Sequence, residues 1–265
     1  PEDWILQANA LDEVWVPSTF NRDTFLDSGL KIPIHVMPLG VNPDFCNPQV
    51  RGFRPTERYT FLSVFEWGER KAPDILLQAY HQAFSRQDDV LLLLKVINAD
   101  PGLDVHREIV KLGLPQEGPP VAVLYNQELP THQMGSLYRS ADCFVSPARG
   151  EGWGMPILEA MACGLPAIAT DWSAQTDFVN DEVAYPLRVA RLIPAKAKCP
   201  YYEGFQWAQP DQEHLVHLMR HVYENRAEAA EKGARASKVA LDNWTWRQAA
   251  HKIKGRLLAI ECADR

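Results

Sequence analysis

The chain has 265 residues, 46% hydrophobic and 23% charged, with a formal net charge of −7. That length buries the core of one large domain or two ordinary ones. The acidic balance disfavours nonspecific nucleic-acid binding, which needs a clustered positive field, and the longest apolar run, VLLLL at 90–94, falls far short of the roughly 20 residues of a membrane-spanning helix.

In chain order, the opening PEDWILQANALDEVW lacks the basic start and the apolar stretch of a signal peptide, and the first residue is not Met. The expectation is a processed or excised piece of a cytoplasmic protein, free or peripheral to the membrane. Runs of β-branched and apolar residues then recur: VWVP near 14, IHVM near 34, TFLSVF near 60, VLLLLKVI near 90, VAVLY near 121, DCFVSP near 142 and PAIAT near 166. Helical periodicity lies between most of them. Over 74–84 the positions Ile75, Leu76, Ala79, Tyr80, Ala83 and Phe84 share one face. Apolar strands alternating with helices predict an α/β domain with a doubly wound parallel sheet covered on both faces.

Residues 38–58 carry four prolines and two glycines without hydrophobic periodicity and read as an interdomain linker. Before them, 1–37 form a strand–helix–strand remnant too small to bury a core. After them, 59–242 hold about five βα units, enough for one complete Rossmann-like domain. The stretch 190–210, ARLIPAKAKCPYYEGFQWAQP, reads as a long surface loop. From 211 the chain is helical, with Leu215, Leu218, Met219 and Val222 in one stripe and Trp246, Ala249, Ala250, Ile253 and Leu257 in another. Cys46, Cys143, Cys163, Cys199 and Cys262 stand singly, without zinc or CxxC spacing, which fits a reducing compartment.

The chemistry concentrates in RGEGWGMPILEAMACGLP, 149–166. A strand ends in a loop with Gly150, Gly152 and Gly154, Pro156 opens a helix and Gly164 closes it, the usual asymmetry of helix termini. Backbone N–H groups at such a helix start, reached over glycines, suit an anion such as a phosphate. Glu151 lies in the loop, where its carboxylate reaches a ligand beside the phosphate; Glu159 lies about one turn into the helix, leaning back toward its start. A carboxylate there suits the vicinal hydroxyls of a ribose. The same residues also read as an ordinary strand–turn–helix with a solvated Glu151 and a Glu159 that supports the helix.

The motif GEGWGMPILEAMACGLPAIAT resembles the glutamate-x7-glutamate signature of retaining nucleotide-sugar glycosyltransferases of family 4 type with the GT-B fold. The flanks YRSADCFVSPA and DWSAQTDFV resemble the same family, as do VWVPSTFNRDTFLDSG, PLGVNPDF and FLSVFEWGERKAPDILLQAY, so the resemblance covers nearly the whole chain. It implies that Glu151 contacts the donor sugar, that Glu159 binds the ribose, and that Gly152, Trp153 and Gly154 offer backbone N–H groups where Met155 and Pro156 begin the helix. Lys71 in GERKAP matches the lysine that holds the diphosphate. Many relatives carry an arginine about six residues before it, where this chain has Phe65; Arg70 is the candidate substitute, although adjacent residues at a helix start point in different directions. Asn98, Tyr125 and Asn126 fall where the family lines its base pocket.

The implied reaction is transfer from a UDP-sugar or GDP-sugar to a carbohydrate or lipid-linked acceptor, with no metal and no further cofactor. Lys71, Arg70 and the helix start would carry the leaving-group charge. The resemblance makes 1–37 a remnant of the acceptor domain and 243–265 the helix that crosses back to it. It implies a chain that binds donor but needs an N-terminal domain, with exposed apolar surface open to that partner or to self-association. The competing readings are a noncatalytic nucleotide-binding or scaffold module of the same fold, a sugar-nucleotide epimerase, or a phosphorylase. A glycosidase pair is disfavoured, since one carboxylate runs along a helix rather than across a cleft.

Overall fold

The computed structural model describes residues 2–54, 56–98, 100–115, 117–196 and 202–263. Pro55 of the expected linker, and Cys199 with the rest of 197–201, lie outside them. The chain opens with α1 (Glu2–Ala8), β1 (Val14–Val16), α2 (Thr19–Asp27) and β2 (Ile34–Val36). Strands β1 and β2 pair in parallel as a sheet of two, the strand–helix–strand unit read from the sequence.

After the coil of 37–58 come β3 (Tyr59–Glu66), a 3-10 turn at Glu69–Lys71, α3 (Pro73–Ala83), β4 (Val90–Ile97), α4 (Val105–Lys111), β5 (Val121–Tyr125) and α5 (Thr131–Tyr138). These are followed by β6 (Cys143–Ser146), α6 (Met155–Ala162), β7 (Ala167–Thr170), a second 3-10 turn at Ala174–Asp177, and β8 (Tyr185–Leu187). The six strands form one parallel sheet in the order β5-β4-β3-β6-β7-β8. The order runs outward one way from β3 and the other way from β6, so the switch point lies between them, where ligands bind in open α/β sheets.

Both faces of the sheet are covered, as fully apolar strands require. Phe61, Leu92, Leu94, Val145 and Ile168 pack with α3 residues Ile75, Leu76 and Tyr80. Their neighbours Leu62, Phe144, Ala167 and Ala169 point the other way, onto Ile157, Leu158 and Met161 of α6 and Ala236 and Ala240 of the helix at 226–243. Period-two alternation thus feeds two cores from one set of strands.

The stretch 190–210 departs from the expected loop. It holds β9 (Val189–Pro194) and β10 (Gln206–Pro210), an antiparallel pair with Trp207 opposite Ile193 and Ala208 opposite Leu192. Strand β9 is mostly exposed while Trp207 and Ala208 are buried. Its burial falls on one strand only, so no alternating pattern marks it in sequence. Strand β8, three residues long, is too short to carry a periodic signal in sequence.

The helical end is three elements: α7 (Gln212–Glu224), α8 (Arg226–Asn243) and α9 (Trp246–Ala263). The first stripe is buried as expected, with Leu215, Leu218, Met219 and Val222 against α3. The second is not: Ala249 is buried, whereas Trp246 and Leu257 are about half exposed, at 49% and 53%. Helix α9 returns to the N-terminal unit, where Arg256 bonds Glu13, and Val41 bridges to Thr245 at the α8–α9 junction. Gly40 makes that approach feasible, since a Cβ on it would stand 2.1 Å from the Thr245 carbonyl carbon. No helix among the described residues is long and apolar enough to cross a membrane.

Candidate functional site

Two loops meet at the switch point. One follows β3: Glu66, Trp67 and Gly68 lead into the 3-10 turn that carries Arg70 and Lys71. The turn ends at Ala72, buried and left-handed at φ 52, and Pro73 then starts α3. The other follows β6, through Arg149 and Glu151 to Gly154, whose φ of 93 lets it cap α6 without the penalty a Cβ brings. Among the described residues three non-glycines have positive φ: Ala72, Asn126 and Ser173. They stand past the carboxyl ends of β3, β5 and β7, and strain gathered there fits a functional rim.

The structure brings Lys71, Arg70 and Glu151 together. Lys71 Nζ lies 2.5 Å from Glu151 Oε1 and Arg70 Nη1 3.1 Å from Oε2. Arg70 also donates to the Gly150 carbonyl at 2.6 Å. The expectation that Arg70 and Lys71 diverge is thereby corrected. Both side chains are long, their turn is 3-10, and each reaches one oxygen of the same carboxylate. Phe65, the position at which the resemblance implied an arginine, is buried in the core beside Trp67. Burial pushes the Lys71 ammonium below its usual range, and Glu151 opposes that shift.

Glu151 is not solvated, with 10% of its side chain exposed. Its N–H donates to Ser173 Oγ at 2.8 Å; Ser173 donates to Gln175 Oε1, and Gln175 donates to the Thr170 carbonyl. Just beyond it the backbone N–H groups of Gly152, Trp153, Gly154 and Met155 have no backbone partner among the described residues, as the start of a helix leaves them. The Trp153 side chain turns away, packing on Phe178 and Trp244 at centroid distances of 5.2 and 5.5 Å.

Glu159 stands apart from this cluster. It is largely buried and accepts from Tyr138 Oη at 2.6 Å, and burial raises its carboxyl above the usual range. Asn98 and Asn126 clasp each other: the Asn98 N–H donates to Asn126 Oδ1 at 2.8 Å, and Asn126 Nδ2 to the Asn98 carbonyl at 3.2 Å. Tyr125 packs on the core and donates to the Leu103 carbonyl. Asn98 shares a cleft of about 400 Å³ with Arg70, Lys71, Trp67, Tyr202 and Trp207, a wall that β10 helps to build. A second cleft, of about 570 Å³, lies on the Glu151 side, between Phe20 and Thr24 of α2 and Arg149, Trp172 and Ser173. The start of α2 is tied to the turn after β7, where Asp177 accepts from the Thr19 N–H at 2.9 Å.

Arg149 escaped the sequence reading. It is 7% exposed. Its guanidinium donates to the Glu69 carbonyl, to Asp74 at 2.8 Å and to Gln209 at 3.2 Å. Its own N–H donates to the Arg70 carbonyl, and its carbonyl accepts from Ala208. One side chain and its peptide units therefore fix both loops and β10 in mutual register. Ser173, Gln175 and Tyr138 were missed as well. Their only signal was position inside the quoted flanks.

The family model described as glycosyl transferases group 1 matches residues 49–239. The D-inositol 3-phosphate glycosyltransferase of Rhodococcus erythropolis is 31% identical over 102 residues, 38% of this chain and 23% of that protein. Among solved structures, the sucrose-phosphate synthase of Thermosynechococcus elongatus superposes with a TM-score of 0.75 at 18% identity, over 100% of this chain and 63% of that one. The Anabaena protein HepE, in complex with UDP and glucose, gives 0.75 at 17%, over 97% and 66%. The chain thus spans less than two thirds of the length of each.

Proposed function

The chain belongs to the glycosyl transferases group 1 family, with the α/β fold of the GT-B glycosyltransferases, and on that premise we propose that it is the donor-binding part of a retaining, metal-independent enzyme of family 4 type. The donor is a nucleoside-diphosphate sugar, and the acceptor a carbohydrate or lipid-linked molecule met in the cytoplasm. The observation that carries this reading is the convergence, at the switch point, of Lys71 and Arg70 on Glu151, next in the chain to the N–H groups of 152–155, which have no backbone partner among the described residues.

Breaking the bond from the anomeric carbon to the diphosphate leaves negative charge on the phosphate oxygens. Preorganised donors aimed at that position lower the barrier because they need no reorganisation during the reaction. Lys71, Arg70 and the start of α6 are such donors. The two cations can carry the charge that a divalent ion carries in other transferases. Asn98 and Asn126 lie on the base side of Lys71, and Glu151 on the sugar side; Glu159 would take the ribose after exchanging its Tyr138 hydrogen bond. The UDP and glucose held by the Anabaena neighbour agree with a donor of this class.

Calorimetric titration with UDP, GDP and ADP, with and without Mg, tests the reading. One nucleotide is expected to bind equally well without metal, and Lys71→Met to weaken it by about tenfold to a hundredfold, the worth of one charged hydrogen bond. Failure of all three to bind overturns the proposal. The chain alone is expected to hold donor without transferring sugar; turnover by the isolated 265 residues refutes the assignment of the acceptor site to another domain.

A further inference from the structure

Glu151 sits where its neighbours would hold a phosphate. Each of its oxygens meets a cation, Lys71 at 2.5 Å and Arg70 at 3.1 Å, and the pair is shielded, with 15% of the Lys71 and 10% of the Glu151 side chain exposed. The backbone around it is tied down. The Glu151 N–H is bound by Ser173, its carbonyl accepts from Ala174, and the Gly150 carbonyl is bound by Arg70. Only the side chain is free to leave, by rotation about its own torsions, and the N–H groups of 152–155, without a backbone partner among the described residues, follow directly in the chain.

We propose that Glu151 occupies the phosphate seat of the empty site, is displaced from Lys71 and Arg70 by an incoming diphosphate, and thereby sets the preference for a nucleotide sugar over a free nucleotide. The inference rests on the function proposed above. A diphosphate carries more charge than one carboxylate and also reaches the helix-start N–H groups, so it wins the two cations. The released carboxylate is then shielded and unpaired, which is costly. A sugar on the diphosphate offsets the cost, because its hydroxyls donate to the freed oxygens. A free nucleotide has no such donors and bears the cost in full. The same residue that helps to grip the donor therefore favours release of the product nucleotide.

The test uses inorganic pyrophosphate as a probe that needs no base, titrated into wild type, Glu151→Gln and the double variant Glu151→Gln/Lys71→Met, with the folded state of each checked by circular dichroism. Pyrophosphate is expected to bind Glu151→Gln about tenfold more tightly than wild type, the low end of a charged hydrogen bond, and the gain to vanish in the double variant. Unchanged or weaker binding to Glu151→Gln overturns the proposal, as does a gain that survives loss of Lys71. If Glu151→Gln does not fold, Glu151→Asp, too short to span both cations, should tighten pyrophosphate binding by a smaller factor; no tightening is again a refutation. Parallel titration with UDP, GDP and their sugars separates the two ideas. A tightened pyrophosphate with no nucleotide bound keeps the exchange and removes the nucleotide-sugar reading. With nucleotide bound, the advantage of the sugar form should fall at least about tenfold in Glu151→Gln, and an intact advantage refutes the specificity role.

Discussion

Replacing Arg149 by Met keeps much of the side chain's bulk and removes its charge and its hydrogen bonds. Glu69 loses a donor to its carbonyl, Asp74 a charged partner at 2.8 Å and Gln209 a contact at 3.2 Å. Breaking a buried ion pair costs about 3–5 kcal/mol. Asp74, however, has 39% of its side chain exposed and is partly rehydrated when its partner goes. The expected loss is therefore about 2–3 kcal/mol. At about 2–4 °C per kcal/mol for a domain of this size, the melting temperature should fall by roughly 5–10 °C. Arg188→Met is the control, because its pair with Asp211 leaves 66% of the Arg188 side chain exposed and such pairs contribute about 0–1 kcal/mol. Calorimetric titration of both variants with the nucleotide that binds wild type should show at least about a tenfold weakening for Arg149→Met alone, since Arg70 and Lys71 lose the lock on their turn. Equal melting temperatures for the two variants, or an unchanged nucleotide affinity in Arg149→Met, would refute the claim that Arg149 sets the register of the site.

Glu159→Gln should stabilise the protein at neutral pH. Burial raises the folded-state pKa of this carboxyl above the usual 4.5, so its charge costs stability once pH exceeds that value, and the cost is absent below it. Gln still accepts from Tyr138, and thermal melts at pH 7 and pH 4 should show a gain at the first that shrinks at the second, alongside weakened nucleotide binding. Glu13 has the opposite sign. Arg256 chiefly, with Trp15, holds its carboxyl at about 2 against the usual 4.5, so its contribution is full above 4.5 and fades as pH falls toward 2; the melting difference between wild type and Glu13→Gln should close over that window. Two helical glycines should also part company. A Cβ on Gly233 would lie 2.4 Å from the Gly164 carbonyl oxygen, so Gly233→Ala should destabilise by about 1–3 kcal/mol. A Cβ on Gly255 would meet no atom beyond its own helix within 4 Å, and Gly255→Ala should stabilise α9 by about 0.5–1 kcal/mol, both read by denaturant titration.

The sequence by itself determined the parallel doubly wound sheet, the buried faces of α3 and α7 and the glycine loop that leads into α6, since each rests on a local period or on Gly and Pro punctuation. The residues of the motif also made Glu151 and Glu159 visible as candidates. It did not reveal the β9–β10 hairpin, whose first strand is exposed and whose buried pair, Trp207 and Ala208, shows no period. It also left the solvation of Glu151 and the direction of Arg70 to be settled in space. Only the tertiary structure decided that Lys71 and Arg70 close on Glu151, 80 and 81 positions away, and that Arg149 locks the Glu69 turn at a separation of 80 and Gln209 at one of 60. The physical reason is that a charged side chain will pair with any opposite charge brought near, and which one is near is set by the order in which the sheet stacks its strands.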